Sequence, residues 1–180
     1  MIEILKNFFR PEGGTAMNES EINIQRITVS DKNMVSRICI ASPAPDPKVD
    51  GTIYKRDTAI TGIQLMDCNG NELGGIGVMD NQRAAVFALD YSKHEAVGMY
   101  AFDTPEAGGA CIFINGKDKK AEVMGSKKYS KAELKIENDS PVLTFSGKDG
   151  RPRIIIGLDE NDNPVIQILG KDGRMRNLIE

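Results

Sequence analysis

Residues 147–156 read "GKDGRPRIII" and residues 170–179 read "GKDGRMRNLI". Two glycines, a lysine and two arginines in such a run suggest a loop that cradles phosphate. That reading needs a helix to begin after the glycines, usually through Lys-Ser or Lys-Thr. Neither stretch supplies one. Ile154, Ile156 and Leu158 alternate with other residues instead, as Leu143 and Phe145 do upstream, and a period of two is the mark of a strand. Each cluster is therefore the tip of a β-hairpin, where glycine provides the left-handed backbone a tight turn needs.

The two tips stand 23 residues apart, and the same shift carries Pro141 onto Pro164 and Arg153 onto Arg176. "PVLTFSGKDGRPR" and "PVIQILGKDGRMR" are thus two copies of one unit. Used as a template, the unit finds older copies. "ITVSDKNMVSRICIA" (27–41) aligns with 143–157 and places Arg37 on Arg153; "IQLMDCNGNEL" (63–73) aligns with 166–176 and places Gly70 on Gly173. "IFINGKDKKAE" (112–122) is a worn fifth copy. Self-similarity at a short fixed period means one supersecondary unit reused. The expected fold is all-β: an antiparallel meander of short hairpins, closed as a barrel, folded as a sandwich, or packed as an open sheet against further copies. In a meander successive turns lie at opposite strand ends, so the "GKDGR" tips gather at one end and "ENDSP" and "DENDNP" at the other. Basic turns are thereby separated from acidic ones.

The 180 residues carry 40% apolar and 27% charged side chains, the composition of a globular domain rather than a disordered chain. A net charge of −3 offers no global basic field, which argues against nucleic-acid and anionic-membrane partners. No apolar run reaches the ~18 residues of a membrane span. The three cysteines, Cys39, Cys68 and Cys111, are odd in number and far apart, which points to free thiols in a cytoplasmic setting.

Residues 1–19 are expected to be a leader, either a short helix with Ile2, Leu5, Phe8 and Phe9 on one face or a disordered segment, and residues 20–180 a single hairpin-repeat domain. The Glu12-Gly13-Gly14 codons can spell a ribosome-binding site, which makes Met17 a candidate start. The longest connection, "ASPAPDPKVDGTIYKRDTA" (41–59), contains Pro43, Pro45 and Pro47 and is expected to be extended and without ladder bonds.

The run from Ile27 to Val78 resembles a bacterial family of β-hairpin-repeat proteins without an assigned activity. The likeness lies in an Arg-bearing strand, a Pro-rich loop ending in Asp50-Gly51, and a hairpin that finishes Gly70-Asn71-Glu72-Leu73-Gly74-Gly75. The later "D-x-x-G-x-x-R" hairpins resemble the tail of that family. The resemblance covers about residues 20–180 and implies architecture but no catalytic residues.

Candidate chemistry is sparse. Asp159, Asn161 and Asn163 have the spacing of a calcium loop, but the glycine and distal glutamate of such loops are missing, so an acidic turn is expected. The stretch 116–131 holds six lysines against Asp118 and Glu122, with Tyr129 as its one aromatic, a poor platform for bases. His94, the only histidine, is expected on a solvated tip, with no nucleophile motif for it to serve. Asp67 and Glu72 flank a hairpin tip and lack the aromatic cleft that glycoside chemistry uses.

The sequence therefore predicts a non-enzymatic binding or scaffolding protein, homo-oligomeric, with no cofactor, no metal, and a protein or small molecule as partner. A small-molecule-sequestering barrel and a phage or surface fibre are the alternatives. Contacts are expected at Tyr54, Lys55, Arg56 and Asp57 in the Pro-rich loop. A ladder of Arg37, Arg153 and Arg176 is expected as a second surface.

Overall fold

The computed structural model describes residues 23–117, 130–137, 139–170 and 172–179. The leader, the proposed start at Met17 and most of the lysine-rich stretch fall outside them.

Among the described residues the chain forms strands almost throughout. β1 is Arg26–Ser30, β2 Ser36–Ala41, β3 Lys48–Val49, β4 Thr52–Ile53, β5 Thr61–Met66, β6 Glu72–Met79 and β7 Ala84–Tyr91. β8 is His94–Asp103, β9 Gly108–Asn115, β10 Ser130–Glu137, β11 Ser140–Ser146, β12 Pro152–Leu158, β13 Pro164–Leu169 and β14 Met175–Asn177. A single 3₁₀ turn, Asp80–Gln82, joins β6 to β7. Twelve strands make one antiparallel sheet in the order β1-β2-β5-β6-β7-β8-β9-β10-β11-β12-β13-β14. Every strand thus lies beside its predecessor once β3 and β4 are set aside. At ~4.8 Å per strand the sheet runs about 50 Å.

The meander is as expected, but its closure is not. β1 and β14 stand at opposite edges, so the sheet is neither a barrel nor two packed layers. Of the three expected forms, the open sheet is the one that occurs. The reason lies in the faces. Ile27, Ile40, Ile63, Ile76, Phe87, Met99, Ile112, Leu134, Leu143, Ile156 and Ile166 oppose one another in succession across the whole sheet. Paired residues share a face, so this is one unbroken apolar row. A second row beside it holds Ile38, Leu65, Leu89, Ile114, Phe145, Ile154 and Ile168. Among the described residues nothing covers this face, and Ile76, Met99, Ile112, Ile114 and Leu134 are each about half exposed.

The opposite face carries smaller and more polar residues: Thr28, Cys39, Gln64, Gly75, Ala88, Gly98, Phe113, Glu133 and Thr144 in the matching row. Over β5 and β6 the Pro-rich segment lies on this outer face, bonded to Gln64 and Glu72 and with Ile60 against Gly77. That segment departs from expectation, because Lys48↔Ile53 and Val49↔Thr52 pair as a small hairpin. Its turn is Asp50-Gly51, with φ of 49° and 84°, the double left-handed geometry that an Asp-Gly pair favours. The buried apolar side chains are consequently few and small: Cys39, Ala41, Ala44, Val49, Ala84 and Cys111.

Five of the connecting turns are the same object. Asp31, Asp67, Gly147, Asp159 and Gly170 each begin a five-residue turn whose first N–H donates to the fifth carbonyl at 2.9 Å. The fourth N–H returns to the first carbonyl at 3.0–3.1 Å. The fourth residue is left-handed every time: Met34, Gly70, Gly150, Asp162 and Gly173. "DENDN" is therefore a repeat turn like the others.

Candidate functional site beneath the Pro-rich loop

The turn beginning at Asp67 anchors the β3–β4 hairpin. Lys48 Nζ donates to the Asn69 carbonyl at 2.9 Å, and the Gly51 N–H donates to Asn71 Oδ1 at 3.1 Å. Past the hairpin, Arg56 reaches down to the sheet. Its Nη2 donates to both Glu72 carboxylate oxygens, at 2.9 and 2.7 Å, and its Nε to the Pro45 carbonyl at 3.2 Å. Gln64, buried in β5, donates to the same carbonyl and to Glu72 Oε2, each at 2.9 Å. The backbone N–H of Arg56 is held by Asp46 Oδ1 at 3.0 Å. With both side chains less than one-fifth exposed, this ion pair locks the loop to the sheet. A charge-assisted pair of that kind costs several kcal/mol when only one partner is removed.

Between this lock and the β7–β8 turn lies a cleft of about 550 Å³. Tyr54, Lys55, Arg56 and Asp57 all line it, so the structure brings together the four loop residues singled out above. It adds Glu72, Asp90, Tyr91, His94 and Glu95 from the sheet and Lys93 from the β7–β8 turn. Lys55 and Asp57 are exposed, whereas Arg56 is occupied with Glu72. A second hollow of about 340 Å³ continues under the loop towards Tyr100 and Phe113. Its floor is Gly62, Gly75 and Gly77. A Cβ on Gly77 would run into Ile60 Cγ2, and one on Gly98 would stand 2.6 Å from the Phe113 ring.

His94 is not on a solvated tip. It is the first residue of β8 and is only 6% exposed, because the β7–β8 turn is just Ser92 and Lys93. Its ring meets Tyr91 edge-on at 5.0 Å, and its Nδ1 lies 3.0 Å from the Glu95 carbonyl. Asn115 Nδ2 donates to that same carbonyl at 3.0 Å. Local sequence reasoning missed Asp90, Tyr91 and Glu95, which come to the cleft only through strand pairing, and Gln64, which lines the second hollow. The one available signal was Gln64, a polar residue inside an apolar strand.

The arginines do not make a ladder. Arg37 sits in β2 and Arg153 in β12, towards opposite ends of the sheet. Both fall where the register slips, Arg37 between Ile38 and Ser36 and Arg153 between Ile154 and Pro152. Each is the extra residue of a β-bulge, a device that re-aims a side chain. The guanidinium of Arg153 pairs with Asp149 at 2.8 Å, and Arg176 pairs with Asp172 at 2.8 Å. Arg37 donates to the Met66 carbonyl at 3.2 Å and lies 3.5 Å from Asp31. Each arginine braces a turn.

The turn carboxylates show how. In the Asp-first turns, Asp31, Asp67 and Asp159 accept the N–H of the third and fifth residues at 2.8–3.1 Å. In the Gly-first turns, Asp149 and Asp172 accept from Arg151 and Arg174 at 3.2 and 3.1 Å. All five carboxyls are held below the usual carboxylate value. The main causes are the backbone N–H of Asn33, Arg151, Asn163 and Arg174, and for Asp67 the Asn71 side-chain amide. Burial pushes the Cys111 thiol up, with Glu133 adding to it. Among the described residues no group of His, Cys, Asp or Glu is placed to hold a metal ion. Among them, too, no helix is long and apolar enough to cross a membrane. No protein-family model, no curated protein and no solved structure matches the chain.

Proposed function

We propose that this chain is a non-enzymatic, cytoplasmic scaffolding protein that works as a homo-oligomer. It associates through its apolar face and offers the cleft beneath the Pro-rich loop to a partner. The uncovered apolar face carries this reading. Its most exposed members, among them Ile27, Ile76, Met99, Ile112, Ile114 and Ile168, are between about 37% and 54% exposed. Together they present on the order of 1,000 Å² of apolar surface, whereas the largest patch on a typical monomer is about 300–600 Å². The cleft supports contact rather than reaction, since its central cation and carboxylate are tied to each other and to Gln64. The exposed Cys68 thiol accords with a reducing compartment.

The fibre reading stands second, and the strand order favours it: each strand adds beside the last, so the sheet grows in one direction. The sequestering barrel loses its support with the open edges. Sedimentation velocity over a hundredfold concentration range tests the main reading. Assembled protein throughout the micromolar range is expected, and a monomer at every concentration overturns it.

A further inference from the structure

We infer that three copies assemble, side by side and pointing the same way, into a three-sided prism with the apolar faces inside. This rests on the self-association proposed above and adds number and direction to it.

Three observations converge. The first is charge. The strand ends define two long lateral edges of the sheet. One edge carries the turns at 31–35, 67–71, 92–93, 147–151 and 170–174; the other carries those at 80–83, 104–107, 139 and 159–163. Lys32, Lys93, Lys148, Arg151 and Arg174 mark the first edge, where the turn carboxylates Asp31, Asp149 and Asp172 are taken up by Arg37, Arg153 and Arg176, and Asp67 by the Asn71 amide. Asp80, Asp103, Glu106, Asp139, Asp159, Glu160 and Asp162 mark the second, and among the described residues of these turns Arg83 is the one cation, paired with Asp103 at 3.3 Å. Rotation about the long axis of the sheet brings the basic edge of one copy to the acidic edge of the next. An antiparallel arrangement would set like edges together, at an energetic cost.

The second observation is shape. Strand by strand, the residue nearest the acidic edge and the one nearest the basic edge differ in size: Val78 and Gly74 on β6, Ala85 and Leu89 on β7, Ala101 and Val97 on β8, Ala110 and Ile114 on β9, Ile136 and Ala132 on β10. At a corner where unlike edges meet, large side chains face small ones. The middle row is large at every strand and contains no alanine or glycine. A prism requires this, because its sheets converge at the corners and stand furthest apart along their midlines. Two stacked sheets would keep one uniform gap of about 10 Å.

The third is distance. The strands of the central sheet from β5 to β13 are mostly six to eight residues long, about 20–26 Å at ~3.3 Å per residue. Three such sides put the axis about 6–8 Å from each sheet, within reach of a side chain. Phe87 and Met99, the longest members of the middle row, lie on β7 and β8, which are among the longest strands. Four sides would place the axis about 10–13 Å away and leave a channel.

The test uses the full chain with Cys68→Ser and one thiol on each edge, Arg151→Cys and Asp162→Cys, neighbours in height along the sheet. Native mass spectrometry of the unsubstituted chain should give three times 19.7 kDa. Oxidation of the double variant should give a covalent species of three chains, and a mixture of the two single variants should cross-link only between unlike edges. A mass of two chains overturns the prism while leaving self-association standing. A monomer overturns both. Cross-linking of either single variant to itself overturns the shared direction.

Discussion

At the scale of the residue, the outer face is shaped by what is left out. Gly77 has no room for a methyl group against Ile60, so Gly77→Ala should lift the Pro-rich loop and destabilise by about 1–3 kcal/mol. Urea unfolding would measure it, and an unchanged midpoint would refute the packing described. The turn carboxylates fix the acid limit. Because Asp31, Asp67, Asp149, Asp159 and Asp172 are lowered from an unfolded value of 3.8, their contribution is complete above that pH. It is lost as pH falls through the folded values. Melting temperature should hold steady above about pH 5 and drop steeply below 3.8. Replacing Asp31, Asp67 and Asp159 by Asn retains an acceptor oxygen and should flatten that drop. The thiols divide in the same local terms: Cys68 should react with maleimide in the native state, while Cys39 and Cys111 wait for unfolding. Three thiols labelled at native pH would contradict the burial.

At the scale of the element, the five-residue turn is the recurring invention. Its fourth position is left-handed, which glycine tolerates best, and Met34 at φ 65° is the exception with the bulkiest side chain. Met34→Gly should therefore raise stability by up to about 1 kcal/mol, read as a higher melting temperature; a lower one would mean that the turns are not equivalent. These turns were legible because glycine and aspartate announce them locally, as at Gly147 and Gly170. The β3–β4 hairpin was equally announced by Asp50-Gly51, yet three prolines nearby argued for a plain extended loop. The prolines precede the pairing residues and do not interrupt them. The cleft was only half legible. Tyr54 to Asp57 follow one another in the chain, but Glu72, Asp90 and Glu95 join them through register, which no local pattern encodes.

At the scale of the whole molecule, period two revealed an apolar face but not what it would meet. Alternation in a strand is the same whether a second layer comes from the same chain or from another. Charge on the middle row should separate the two roles of that face. Ile112→Lys places a cation beside Met99 and Leu134. It should leave the hairpin turns intact and convert the assembly to smaller species in sedimentation. Unaltered assembly would remove that face from the interface.

The congruence of the turns has one more consequence. Ser146 precedes Gly147 as Leu169 precedes Gly170, so excising residues 147–169 joins β11 directly to the final turn and β14 without disturbing either. Two strands vanish and the sheet shortens by roughly 10 Å, with no other pairing altered. Small-angle scattering of that deletion should show a shorter particle of the same cross-section. Unfolding or a changed cross-section would argue against it. The gene then behaves as a ruler, in which the number of 23-residue units sets a length in space.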